Sequence, residues 1–191
     1  MNFAVGESSV YLHKLTERIR ASRDLEIVVA PSAIALQPLS LQIDRKKLRL
    51  AAQTANPHDF GAYTGEVSFA QLRGLVDYCI IGHSERRQLF HESDKQVRLA
   101  VAAALRNNIT PILCIGETST ERTFGETSDV VRDQLLGGLS EVSAEDINKV
   151  IIAYEPIWAI SSTTDAHIAT PDEVAEIVTF IRRTLTDTYS S

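Results

Sequence analysis

The sequence predicts an α/β fold built on a parallel sheet, and three observations carry that reading. Five short runs are nearly all apolar and rich in Val and Ile, as parallel strands covered on both faces are. Longer stretches with helical spacing separate them, and the two kinds of segment alternate along the chain. No linker, low-complexity tract or composition break interrupts the alternation, so 191 residues with 44% hydrophobic content read as one domain, residues 1–191.

The five runs are Glu26 to Ala30, Leu48 to Gln53, Tyr78 to Ile81, Pro111 to Ile115 and Val150 to Tyr154. Helix signals fill the intervals. Tyr11, Leu12, Leu15 and Ile19 lie at helical spacing, in a helix starting near Ser8 and Ser9. Ser68-Phe69-Ala70-Gln71 is a capping box leading into Leu72, Leu75 and Val76, and Ser93-Asp94-Lys95-Gln96 is another, leading into Val97, Val101, Ala104 and Leu105. Val130, Val131, Leu135 and Leu139 form a weaker stripe, and Gly137-Gly138 at its end reads as a helix stop. Thr170-Pro171-Asp172-Glu173 combines a capping box with proline at the first helical position, ahead of Val174, Ile177, Val178, Ile181 and Leu185. The order α-β-α-β-α-β-α-β-α-β-α contains five parallel strands and six helices, doubly wound or barrel-like.

Composition excludes several classes. A net charge of −6 and pI near 5.4 argue against a nucleic-acid binder, which needs a basic face. The longest apolar run, Leu99 to Leu105, is far short of the ~20 residues a membrane span needs. The N-terminus lacks a signal-peptide pattern. Cys79 and Cys114 sit in apolar segments and read as reduced, packed thiols, which points to the cytoplasm.

Ligands of parallel α/β folds sit at the carboxyl ends of the strands. No Gly-x-Gly-x-x-Gly or phosphate-loop pattern follows any strand. Two strand ends stand out. After Ile80-Ile81 comes Gly82-His83-Ser84-Glu85-Arg86-Arg87, and after Tyr154 comes Glu155-Pro156-Ile157-Trp158-Ala159-Ile160. Each residue has a plain reading, His83 as a helix-cap neighbour and Glu155 as a salt-bridge partner. Together at the ends of one sheet they make a carboxylate base and an imidazole electrophile.

Those two segments resemble the signatures of the triosephosphate isomerase family. So do Ala51-Ala52-Gln53-Thr54-Ala55-Asn56, Gly61-Ala62-Tyr63-Thr64-Gly65-Glu66-Val67-Ser68 and Pro111-Ile112-Leu113-Cys114-Ile115-Gly116-Glu117, in the same order. The resemblance implies a (β/α)8 TIM barrel and interconversion of dihydroxyacetone phosphate and glyceraldehyde 3-phosphate, a glycolytic step, with no cofactor and no metal. It makes Glu155 the base and His83 the group that polarises the carbonyl, kept neutral by a helix N-terminus, a pairing that is itself a worked example of tuned acid–base chemistry. It makes Glu85 a supporting carboxylate and Ser84 its neighbour, Cys114 and Glu117 buried support near the base, and Ser161 part of the lid. Thr64, Gly65 and Glu66 match the tip of a dimer loop spanning residues 54–66.

The same resemblance implies an incomplete TIM barrel. Met1-Asn2 matches the end of the family's Asn-x-Lys-Met-Asn motif, which leaves the first strand, its asparagine and its catalytic lysine outside these residues; Lys14, within a helical stripe, does not replace the lysine. After the helix of Val174 to Leu185 the two strands carrying the phosphate loops do not follow. Ser161 to Ile168 stands where the family has a glycine-bearing lid three residues shorter, and His91 stands where it has glycine, with Glu92 in place to pair with Arg87. The expectation is a truncated, self-assembling relative, a homo-oligomer that buries its open edges, inactive or severely impaired. The alternatives are an isomerase completed by oligomerisation or a partner fragment, and a repurposed binding or structural module. A phosphorylated triose is the expected substrate; neither nucleic acid nor a membrane is an expected partner.

Overall fold

The computed structural model describes residues 2–22, 24–160 and 168–190. Five strands, β1 (Val28–Val29), β2 (Arg49–Ala52), β3 (Tyr78–Ile81), β4 (Thr110–Ile115) and β5 (Ile151–Tyr154), form one sheet in the order β1-β2-β3-β4-β5. β1 pairs parallel with β2, β2 with β3, and β4 with β5. Consecutive order with a helix in each connection is the winding of a (β/α)8 barrel, here with five of its strands.

Around them lie α1 (Val5–Arg18), α2 (Ala33–Gln42), α3 (Phe69–Leu72), α4 (Ser84–Leu89), α5 (Asp94–Arg106), α6 (Ser119–Thr123), α7 (Thr127–Leu139) and α8 (Pro171–Tyr189). Eight α-helices among the described residues replace the six expected, because two short ones, α4 and α6, form in the segments that follow β3 and β4. They are six and five residues long, too short to show a helical period in sequence. All three predicted capping boxes form, at Ser68, Ser93 and Thr170, but the first opens only a four-residue helix. Gly137 and Gly138 do not stop α7. They lie inside it, and a side-chain carbon at Gly138 would come 2.9 Å from Leu113, so glycine there lets α7 seat on β4.

Contacts group the chain into two compact units. Residues 1–80 with 103–111 pack Leu12 of α1, Leu36 and Leu39 of α2, Leu50 of β2 and Phe69 around a core with all five side chains buried. Asp77 anchors its lower rim by accepting from Arg45 at 3.1 Å and pairing with Arg49 at 3.5 Å. Residues 81–102 with 112–191 pack Val97 and Val101 of α5, Leu113 and Ile115 of β4, Val131 and Leu135 of α7, and Ile177 and Ile181 of α8. This second unit holds both strand ends singled out in the sequence. No helix among the described residues is long and apolar enough to cross a membrane.

Candidate active site

β3 runs into α4 through two residues, Gly82 and His83, and the Gly82 φ of +72° lies in the left-handed region. A side-chain carbon there would meet Arg87 at 3.0 Å, Val97 at 3.2 Å and the Cys114 carbonyl at 3.3 Å, so both conformation and space require glycine. The sharp turn puts His83 at the N-cap of α4 immediately past the strand end.

At that cap His83 Nδ1 accepts the backbone N–H of Glu85 at 3.3 Å. An amide can only donate, so Nδ1 carries no proton and the ring proton sits on Nε2. Nε2 lies 3.0 Å from Glu155 Oε1, and the other oxygen, Oε2, accepts the Ser84 N–H at 3.4 Å. The side chains of His83 and Glu155 are 29% and 24% exposed, shielded on most sides yet reachable by a small molecule. Glu155 is fixed from below, because its N–H donates to the Ile115 carbonyl at 2.8 Å, one step beyond the last paired residues of β4 and β5.

Glu85 contributes through its backbone. Its carboxylate is 63% exposed and stands 3.9 Å from His83 Nδ1, beyond hydrogen-bond reach. Ser84 is buried and donates its N–H to Glu155. Cys114 is 5% exposed, and burial first, then the Glu155 charge, pushes its thiol up to about 12. It is no nucleophile at neutral pH.

Glu117 is fully buried and holds the turn after β5. Its carboxylate accepts the Trp158 indole N–H at 2.8 Å and the Tyr154 hydroxyl at 3.0 Å, while its carbonyl accepts the Ile157 N–H at 3.0 Å. Arg122 on α6 stands 3.7 Å from the same carboxylate, 4.2 Å over the Trp158 ring, and pairs with Glu173 of α8. Burial, then the Glu117 charge, pushes the Tyr154 hydroxyl above its ordinary range. Arg122 was not singled out in the sequence and Glu173 only as part of the capping box at Thr170, although the Thr118–Glu121 capping box marks the helix that carries Arg122.

The Glu92–Arg87 pair does not form. Arg87 folds back to donate Nε to the Gly82 carbonyl at 2.8 Å, which carries its guanidinium to Asp94 at 2.6 Å. Glu92 takes Arg86 instead, at 3.1 Å, because the left-handed turn at His91 (φ 54°) brings the Glu92 backbone onto the Arg86 carbonyl.

In the first unit, Thr64, Gly65 and Glu66 are exposed at the tip of the loop between β2 and α3. The loop braces itself: Glu66 accepts from Asn56 at 3.3 Å, and the Tyr63 ring stacks on His58 at 4.6 Å. Ser161 lies outside the described residues.

A family model described as triosephosphate isomerase matches residues 1–191. The chain is 43% identical over 165 residues to the triosephosphate isomerase of Chloroherpeton thalassium, which covers 86% of this chain and 64% of that relative. It is 38% identical over all 191 residues to the Lactiplantibacillus plantarum protein of the same name, covering 75% of it. With the Clostridium acetobutylicum protein the identity is 41% over 186 residues, 97% of this chain and 73% of the relative. The chain therefore spans 64% to 75% of the length of these curated relatives.

Proposed function

The chain belongs to the triosephosphate isomerase family, and from that premise we propose that His83 and Glu155 are the proton-transfer pair for interconversion of dihydroxyacetone phosphate and glyceraldehyde 3-phosphate. One observation carries the reading: the His83 ring proton is directed onto Nε2 by the Glu85 amide, and Nε2 faces Glu155 at 3.0 Å. A substrate carbonyl oxygen takes the place of Glu155 Oε1 beside Nε2 and accepts the Nε2–H. The freed carboxylate removes a proton from C1 of the ketone; the C–H electrons form the C1–C2 double bond, and the carbonyl oxygen takes the charge opposite His83. The C1 hydroxyl proton then passes to the C2 oxygen by way of His83 Nε2, the electrons left on the C1 oxygen form the aldehyde carbonyl, and the double-bond electrons take the proton back from Glu155 at C2. No electrons leave the substrate.

The lysine and phosphate loops implied by the resemblance are not among these 191 residues. We infer that the 191 residues by themselves turn over slowly, since losing one electrostatic donor costs about 10²–10³-fold in rate and phosphate binding supports the step at the reacting carbons. A fragment carrying those strands restores the rate. Composition and the described helices suit a cytoplasmic enzyme of triose-phosphate metabolism. We propose self-association through β1 and β5, the two ends of the sheet order, because Val28 and Ile151 on them are 36% and 44% exposed.

A coupled assay of glyceraldehyde 3-phosphate isomerisation tests this, with and without the completing fragment. The expected result is a low rate that rises on completion and vanishes in Glu155→Gln. An equal rate in Glu155→Gln would sink the reading.

A further inference from the structure

We infer that Gln134 is a positioning residue for Glu155, acting through the backbone of Gly116; the inference rests on the reading of Glu155 as the base. Three contacts link them. Gly116, the residue after β4, is buried, and its two peptide groups are both taken by one side chain. Its N–H donates to Gln134 Oε1 at 2.8 Å, and its carbonyl accepts from Gln134 Nε2 at 3.1 Å. Only a primary amide of this length offers an acceptor and a donor side by side, as a neighbouring strand would. Gln134 thus continues the ladder at the point where β4 leaves the sheet.

Gly116 in turn bears on the base. A side-chain carbon at 116 would lie 2.0 Å from the Glu155 carbonyl oxygen and 2.7 Å from its carbonyl carbon. The Glu155 peptide therefore rests against the Gly116 backbone while its own N–H is tied to Ile115. The strut stands on a firm base, because α7 is seated by Val131, Leu135 and Leu139, each at most 1% exposed, and by Gly138 against Leu113. A shift of Gly116 moves the Glu155 backbone, and with it the 3.0 Å contact to His83. Misplacement of a reacting group by ~1 Å costs about 10²-fold in rate, so a fraction of that displacement is consequential.

The test reads proton exchange by NMR on the full ¹⁵N-labelled chain, in unsubstituted form and as Gln134→Leu and Gln134→Glu. Three protons are followed: the Gly116 amide, the His83 Nε2–H and, as a control, the Trp158 indole N–H held by Glu117. Gln134→Leu removes both Gly116 partners, and both the Gly116 and His83 protons are expected to exchange about tenfold faster, the equivalent of one lost hydrogen bond, with the Trp158 proton unchanged. Gln134→Glu keeps the acceptor for the Gly116 N–H but sets an oxygen against its carbonyl. The Gly116 amide then stays protected while the His83 proton speeds up by a smaller factor. Should Gln134→Leu fail to fold, Gln134→Glu decides alone. A His83 proton that is unchanged, or that accelerates only in step with Trp158, overturns the inference and leaves the role of the pair standing. Absence of a protected His83 ring proton in the unsubstituted chain overturns both.

Discussion

Glu155 Oε1 lies 3.0 Å from His83 Nε2, so the two groups that face a substrate are in contact with each other before it arrives. The contact holds the imidazole in one tautomer and orientation at no cost in ordering during the reaction. A ligand that enters between the two groups has to place an oxygen acceptor at Nε2, as the carbonyl of an α-hydroxy ketone can.

The Cys114 thiol is expected to be inert in the folded chain. Burial, with the Glu155 charge second, raises it from 9.0 to about 12. At pH 8 alkylation by iodoacetamide should be about 10³-fold slower or more than in the unfolded chain, where a typical stability sets the open fraction. The folded state keeps a proton that the unfolded state gives up, so this contribution to stability is complete below pH 9 and is lost as pH rises toward 12. Tyr78, raised to about 12 from 10.0 by burial and its Glu26 partner, steepens the decline above pH 10. Urea titrations across this range should show the fall, with a later onset in Cys114→Ala; a flat profile would contradict it.

Glu117→Leu should destabilise the chain by about 3 kcal/mol or more, because it removes one partner from a buried network and leaves Arg122 without that carboxylate. The chain has one tryptophan, Trp158, in contact with both groups, so its fluorescence reports the urea transition directly. A loss under 1 kcal/mol would mean that the network contributes little.

His91→Gly should stabilise the chain by about 0.5–1 kcal/mol. His91 is exposed and holds φ 54°, a conformation that costs a side-chain-bearing residue about 1–2 kcal/mol, against which stands the greater unfolded freedom of glycine, about 0.5–1 kcal/mol. Thermal or urea midpoints measure the difference, and a lower midpoint would contradict the expectation.

Sedimentation at micromolar concentration should show species larger than a monomer, and Val28→Lys with Ile151→Lys should shift them toward monomer, since charge on a sheet end blocks pairing. A compact monomer in the unsubstituted chain would overturn the proposed self-association.

All five strands were legible because parallel strands buried on both faces leave unbroken Val- and Ile-rich runs, and Tyr78–Ile81 came out with the bounds read from sequence. The first run, by contrast, shrank from Glu26–Ala30 to Val28–Val29, since a strand at the end of the sheet order has β2 as its one partner. Single-turn helices such as α4 escaped because a period needs two turns to show. At the site, strand-end position and residue type marked His83 and Glu155, but their distance is a property of two strands far apart in sequence. The Arg87–Asp94 and Arg86–Glu92 pairing was illegible because neighbouring arginines are equivalent until the His91 turn sets which one faces Glu92. Gln134 gave no signal, since an amide on a helix face looks like any solvated side chain until Gly116 is seen beneath it.

Deuterium incorporation at C1 of dihydroxyacetone phosphate in D₂O, at saturating substrate, tests the role of the His83–Glu155 pair most directly, because exchange reports proton removal without requiring full turnover. The unsubstituted chain should exchange above the buffer rate, His83→Gln should fall by about 10²-fold or to background, and Glu155→Gln should give the buffer rate alone. Exchange at the buffer rate in the unsubstituted chain, or exchange unaffected by Glu155→Gln, would contradict the assignment of this pair.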